Sequence, residues 1–191
     1  MLKIIGIVAG IGVLAIIALL VYAATFPDTF QVQRTQRINA SPDKIFPLIN
    51  NMHGMNTWNP FSEADPDIKI TYTGPESGKG ARYEWTGNSK VGQGSIEIID
   101  VATPSRVALK LDMLKPMEGH NRVVFTLAPN GPGTDVSTDV STDVSTDVTW
   151  AMTGERPFIG KIMDAVFNMD RMVGGQFEKG LAKLRAIVEK A

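Results

Sequence analysis

The chain contains no cysteine, which excludes disulfides, thiolate nucleophiles and cysteine-based zinc or iron–sulfur sites while leaving the compartment open. Histidine is nearly as scarce: among 191 residues, His53 and His120 are the two imidazoles available as a base or a ligand. Net charge is −1 and the Lys and Arg residues are scattered. The basic stripe that phosphate binding needs is therefore missing, and nucleic acid is not an expected partner. No residue pattern calls for a cofactor or a metal. What remains is a length that suits one ordinary domain with an appendage, long enough to bury a sizeable core.

The appendage comes first. Ile4 to Ala24 carries no charge and is rich in Ile, Leu, Val, Ala and Gly, enough to cross a hydrocarbon core of about 30 Å at about 1.5 Å per residue. This reads as a transmembrane anchor over residues 1–26, followed by a soluble domain over 27–191. Lys3 precedes the run and Asp28 follows it, so the positive-inside bias favours an N-in orientation with the domain outside the cytoplasm, periplasmic in a bacterium. Two rivals compete. A buried core helix would have to be apolar all round. A cleaved signal finds small residues near Val21-Tyr22-Ala23, but the run exceeds the roughly 7–15 apolar residues of a cleavable signal.

After the Phe26-Pro27-Asp28 break, Phe30 to Asn39 is a candidate strand. Ser41-Pro42-Asp43 supplies an N-cap, a first-turn proline and an early acid ahead of Ile45, Phe46, Leu48 and Ile49 on helical spacing, which makes a short helix. The stretch Asn50 to Asn59 is irregular or a second short helix, and Trp58-Asn59-Pro60-Phe61 forms a rigid corner. From there apolar residues alternate with period two in six runs around Ile70, Tyr83, Ile96, Leu109, Phe125 and Trp150, separated by Gly- and Pro-rich turns. Such short connections favour antiparallel meanders. The last element, Pro157 to Lys190, spaces its apolar residues by three and four from Phe158 to Val188 and predicts one long amphipathic helix, with a bend or close packing near Gly174-Gly175. An α+β layer arrangement follows: an antiparallel seven-stranded sheet with helices gathered on one face.

Residues 134–149 interrupt this pattern with four copies of a unit, TDVS-TDVS-TDVS-TDVT. An even unit length preserves strand parity, so Val136, Val140, Val144 and Val148 fall on the face of Trp150 and Met152. The preceding strand, Asn121 to Ala128, is too short to pair with the whole run. The expectation is that the last unit continues the real strand while earlier copies form a protruding loop. A calcium loop is disfavoured, because Asp135, Asp139, Asp143 and Asp147 recur without the glycine such loops need for their turn.

The element order, the helix start Ser41-Pro42-Asp43-Lys44-Ile45-Phe46 and the corner Trp58-Asn59-Pro60-Phe61 resemble the polyketide cyclase/dehydrase-like branch of the START/Bet v 1 superfamily, also called SRPBCC. The resemblance covers about Phe30 to Ala191. It implies a helix-grip fold, in which a curved seven-stranded sheet wraps a long C-terminal helix and leaves a hydrophobic cavity between them. The anchor and the TDVS repeats depart from that pattern.

By strand parity the inward set holds Tyr72, Tyr83, Trp85, Met113, Phe125, Trp150 and Met152, facing Met163, Phe167 and Met169 on the helix, with Trp58 and Phe61 at the corner. Thioethers and aromatics line adaptable apolar pockets, although the same list would serve as plain core in a closed domain. The resemblance implies a cavity for a small hydrophobic or amphipathic ligand. Proton-moving candidates are few: His53, His120 and the Glu155-Arg156 pair ahead of the last helix. Glu84, Glu97 and Asp112 alternate outward with Arg82 and Lys110, a solvated face where cross-strand pairs form. The expected function is a membrane-anchored module binding a small hydrophobic ligand. The alternatives are a cyclase or aromatase-like enzyme and a membrane-tethered interaction module without a ligand.

Overall fold

The computed structural model describes residues 1–130 and 144–190. In chain order its helices are α1 (Leu2–Ala24), α2 (Pro42–Ile49), α3 (Met52–Asn56), α4 (Phe158–Phe167) and α5 (Met169–Val188). Its strands are β1 (Thr29–Ile38), β2 (Lys69–Thr73), β3 (Arg82–Thr86), β4 (Gln93–Ala102), β5 (Arg106–Lys115), β6 (Gly119–Asn130) and β7 (Ser145–Glu155), and a 3-10 turn spans Pro60–Ala64. All seven strands form one antiparallel sheet in the order β1-β7-β6-β5-β4-β3-β2. Strands β2 to β7 meander, and β1 closes onto β7.

Local chemistry explains most boundaries. Pro42 opens α2 with Asp43 in its first turn. Asn51 caps α3 by accepting from the Gly54 amide at 2.9 Å, and Asn59 accepts from the Phe61 amide at 3.2 Å to start the 3-10 turn behind Trp58. The last TDVS unit joins β7: Thr146 faces Ile38 across the ladder, and its hydroxyl donates to the Ala40 carbonyl at 2.7 Å in a fully buried position. The copies before residue 144, and the loop expected of them, lie outside the described residues.

The long C-terminal helix is two helices. Asn168 takes φ +52, donates its amide to the Asp164 carbonyl, and accepts from the Arg171 amide through its side chain at 3.0 Å. It ends α4 and caps α5 in one residue. Asp164 helps, its carboxylate accepting from the Met169 amide at 2.8 Å. Of the bend or close packing expected at Gly174-Gly175, close packing is found: both glycines lie inside α5, and the Arg34 guanidinium fills the space a Gly174 Cβ would occupy. Gly180 likewise admits Trp150, whose ring carbon lies 2.8 Å from where its Cβ would stand.

Helix α5 buries Phe177, Leu181, Leu184 and Val188 against the sheet, each contributing roughly 1.5–3 kcal/mol. Arg34 on β1 fastens its start, donating to both Asp170 carboxylate oxygens (3.1 and 3.0 Å) and to Glu178 (2.8 Å). The hydrogen bond from Arg34 holds the Asp170 carboxyl below its ordinary 3.8, against a smaller upward push from burial. A carboxylate whose pKa is lower in the folded state stabilises fully above its unfolded pKa, and that contribution fades as pH falls through the folded value. Urea midpoints followed from about pH 5 to about pH 2 should therefore fall less steeply in Arg34→Gln than in the native chain. Parallel acid limbs for the two proteins would remove this role.

Candidate functional site

Antiparallel register sorts the concave face of the sheet into rows. The rows at the end remote from α1 hold Ile38, Leu127 and Val148, all at most 1 % exposed. A central row carries Trp150 and Phe125, paired across β7 and β6. Here aromatics fill the space beneath α5: Trp150 stacks on Phe177 at 4.1 Å, and Trp58 meets both Trp150 and Phe125 edge-on at 5.6 and 5.7 Å. The Trp58 indole donates to the Leu48 carbonyl at 3.0 Å. The indole N–H of Trp150 is buried without a partner, a donor whose desolvation costs about 1–3 kcal/mol until something accepts from it.

Toward the α1 end the packing loosens. One row runs Phe30, Gly154, Asn121, Leu111, Ile96, Tyr83 and Tyr72, and the next runs Met113, Gly94, Trp85 and Ile70. Phe30, Asn121, Leu111, Met113, Trp85, Ile70 and Tyr72 are only half-buried. The reason is coverage: α5 packs chiefly on β1, α2, the 3-10 turn and β7, and α4 rests on α1 and α5. The concave face of β2 to β6 toward this end is therefore an apolar trough with few polar groups. These are Asn121, the Tyr72 hydroxyl accepting from Asn56 at 2.6 Å, and the Tyr83 hydroxyl accepting from Asn59 at 3.3 Å. Burial, reinforced by the neighbouring Tyr72, raises the Tyr83 pKa well above its usual range, so its hydroxyl is neutral at any physiological pH.

The expected pocket residues divide. Tyr72, Tyr83, Trp85, Met113 and Met152 meet on or beside the trough; Trp58, Phe125 and Trp150 form the sealed aromatic centre; Phe61 is 41 % exposed on the 3-10 turn. Met169 is half-buried at the start of α5, whereas Met163 and Phe167 are exposed on α4. Leu111 and Phe30 join the trough without being among the expected pocket residues, although period-two counting from Met113 places Leu111 on the same face.

The proton-moving candidates lie elsewhere. His120 binds Asp112 at 2.7 Å on the convex face of the sheet, where Lys110 also reaches Asp112 at 2.8 Å. Burial pushes the Asp112 carboxyl up, but the hydrogen bonds from Lys110 and His120 outweigh it and leave the pKa below 3.8. Arg82 pairs with Glu84 and Glu97 on that same face. Arg156 pairs with Asp164 at 3.1 Å, and Glu155 is exposed. His53 stacks on Tyr72 with ring centroids 3.7 Å apart, at a cleft of about 220 Å³ that Thr73, Glu76 and Arg82 also line. A shallower cleft of about 380 Å³ lies along Thr29, His120, Arg122 and Thr153. Among the described residues no group of His, Asp and Glu is arranged to hold a metal ion.

Residues 29–189 match the family described as polyketide cyclase / dehydrase and lipid transport. Among solved structures, norcoclaurine synthase from Thalictrum flavum, in complex with dopamine and hydroxybenzaldehyde, aligns with TM-score 0.62 at 11% identity, covering 89% of this chain and 91% of that one. A protein from Chromobacterium violaceum aligns with TM-score 0.54 at 15% identity over 86% and 99%. The Aha1 dimer from Colwellia psychrerythraea aligns with TM-score 0.52 at 15% identity over 84% and 96%. Among curated proteins no match to this chain is found. At these identities the likeness is one of fold, and it is the helix-grip fold that the sequence predicts.

Proposed function

The chain belongs to the polyketide cyclase / dehydrase and lipid transport family, and from that premise we propose that its domain binds a small apolar or amphipathic molecule in the trough, held near a membrane by α1. The burial gradient along the sheet carries this reading. On the same concave face Ile38, Leu127 and Val148 are at most 1 % exposed at one end, whereas Phe30, Leu111, Trp85 and Met113 are half-buried at the other. Apolar walls supply most of the affinity of such a site, and a few polar groups orient the ligand. Asn121 at the trough is the group able to receive a polar end.

The open end is also the end at which β1 leaves α1, and α1 is long and apolar enough to cross a membrane. An uncleaved anchor, N-in with the domain outside the cytoplasm, would set the trough within reach of bilayer lipids. A lipid-like or isoprenoid ligand fits this placement. The enzymatic alternative needs a proton-moving group at the ligand, and His120, Glu155 and Arg156 are committed or exposed away from the trough. His53 on Tyr72 is the one histidine at its margin.

Titration with a fluorescent fatty acid, together with mass spectrometry of the purified chain for co-purifying lipid, tests the proposal. Saturable binding is expected, and Leu111→Asp should weaken it by about tenfold to a hundredfold while circular dichroism stays unchanged. Equal binding by that variant, or no saturable binding by the native chain, would remove the trough as the site.

A further inference from the structure

Helix α4 is amphipathic the wrong way round for a soluble domain. Its two charged residues face inward. Lys161 is 8 % exposed and donates to Asp28 at 2.7 Å, and Asp164 pairs with Arg156 while capping α5. Most of its large apolar residues face out, with Phe158, Ile159, Val166 and Phe167 between 48% and 55% exposed and Met163 at 38%. Met172, at the start of α5, extends the patch at 54%. A helix edge facing water normally carries the charges and buries the aliphatic residues, and contiguous exposed apolar patches of this kind mark a contact surface.

The neighbour of α4 identifies the occupant. Helix α4 packs against α1. Among the described residues of α1, Leu19 and Ala23 are shielded, with Phe26 just beyond the helix, and the Arg156 guanidinium lies 5.8 Å above the Phe26 ring. If α1 crosses a bilayer, α4 sits at the depth of its last turns. From Leu19 to Ala24 the helix rises about 8 Å at about 1.5 Å per residue, and interfacial helices bury their apolar face about 5–10 Å into the headgroup and acyl boundary.

We infer that α4 is an interfacial helix whose apolar face lies in the lipid of the bilayer that α1 crosses, so that the domain is held to the membrane at two points. The inference rests on the reading of α1 as an uncleaved anchor. The ion pairs Lys161–Asp28 and Arg156–Asp164 lock α4 to the base of α1 and remove the charges of α4 from the lipid-facing side. Tethering at α1 and α4 together fixes the tilt of the sheet, with the end of the trough turned toward the acyl chains.

The lack of cysteine makes the test direct. Ile159→Cys, Val166→Cys and the convex-face control Thr126→Cys each carry one thiol for an environment-sensitive fluorophore. The labelled full chain is reconstituted into vesicles of phosphatidylcholine and phosphatidylglycerol, with and without nitroxide-labelled acyl chains. Labels at 159 and 166 are expected to shift to the blue, to be quenched by the nitroxide lipids and to be shielded from iodide, while the label at 126 stays aqueous. Vesicle-bound protein with water-like labels at 159 and 166 overturns the inference and leaves the anchor standing. Blue-shifted labels that nitroxide lipids do not quench mean that protein covers the patch, and this also overturns it. Protein released from vesicles by an alkaline wash overturns the anchor itself, and the inference with it.

Discussion

Truncating Trp58 to alanine is expected to lower the unfolding free energy by about 3–5 kcal/mol. Trp58 is 1 % exposed, meets Trp150 and Phe125 edge-on, and ties its indole to the Leu48 carbonyl. The deletion would leave a void where α2, the 3-10 turn and the sheet meet, together with an orphaned carbonyl. Single domains are stable by about 5–15 kcal/mol in total, so the variant should lose most of its margin. Phe61→Ala, three residues along and 41 % exposed, should cost less than about 0.5 kcal/mol. Urea denaturation of the detergent-solubilised chain measures both. Similar midpoints for the two variants would mean that the aromatic centre is not the keystone its packing indicates.

The other large effect concerns α1. Val13→Arg combined with Ile17→Lys puts two cations into the middle of the apolar run. At about 2.5–3.5 kcal/mol each for a charge at a helix centre, insertion should lose about 5–7 kcal/mol in all. The protein is expected to move from the membrane pellet to the supernatant after alkaline extraction. An unchanged pellet would refute the anchor, and a purified native chain whose mass lacks the first residues would show that the run is a cleaved signal.

The seven strands were legible because their apolar faces alternate with period two and Gly and Pro mark their turns. The TDVS run could be placed in part because four is an even number, so the last unit enters β7 with Val148 inward. The break at Asn168 was hidden for a physical reason. The three-then-four spacing runs through it from Val166 to Met169 and on to Met172, so periodicity registers no gap, and asparagine tolerates φ > 0 without advertising it as glycine does. Gly174 and Gly180 carry an intrinsic helix cost, yet both exist for tertiary reasons: Arg34 lies against one and Trp150 against the other. The trough was half legible. Parity named its walls, but how far α5 covers the sheet depends on where the helix breaks and how it lies, and residue spacing encodes neither. Met163 and Phe167 illustrate this, having been assigned inward on a continuous helix that in fact ends at Phe167.

The pairing of β1 with β7 also orders events during synthesis. Thr29 must find Glu155 and Ile38 must find Thr146, so the sheet cannot be completed until most of the chain has been made. At about 5–20 residues per second, several seconds or more separate the emergence of α1 from that of its domain's closing strand. During that interval β1 is an unpaired strand attached directly to an apolar helix that needs no partner from the rest of the chain. The apolar helix therefore leaves the ribosome well before the strand that completes the grip, and the sheet closes last.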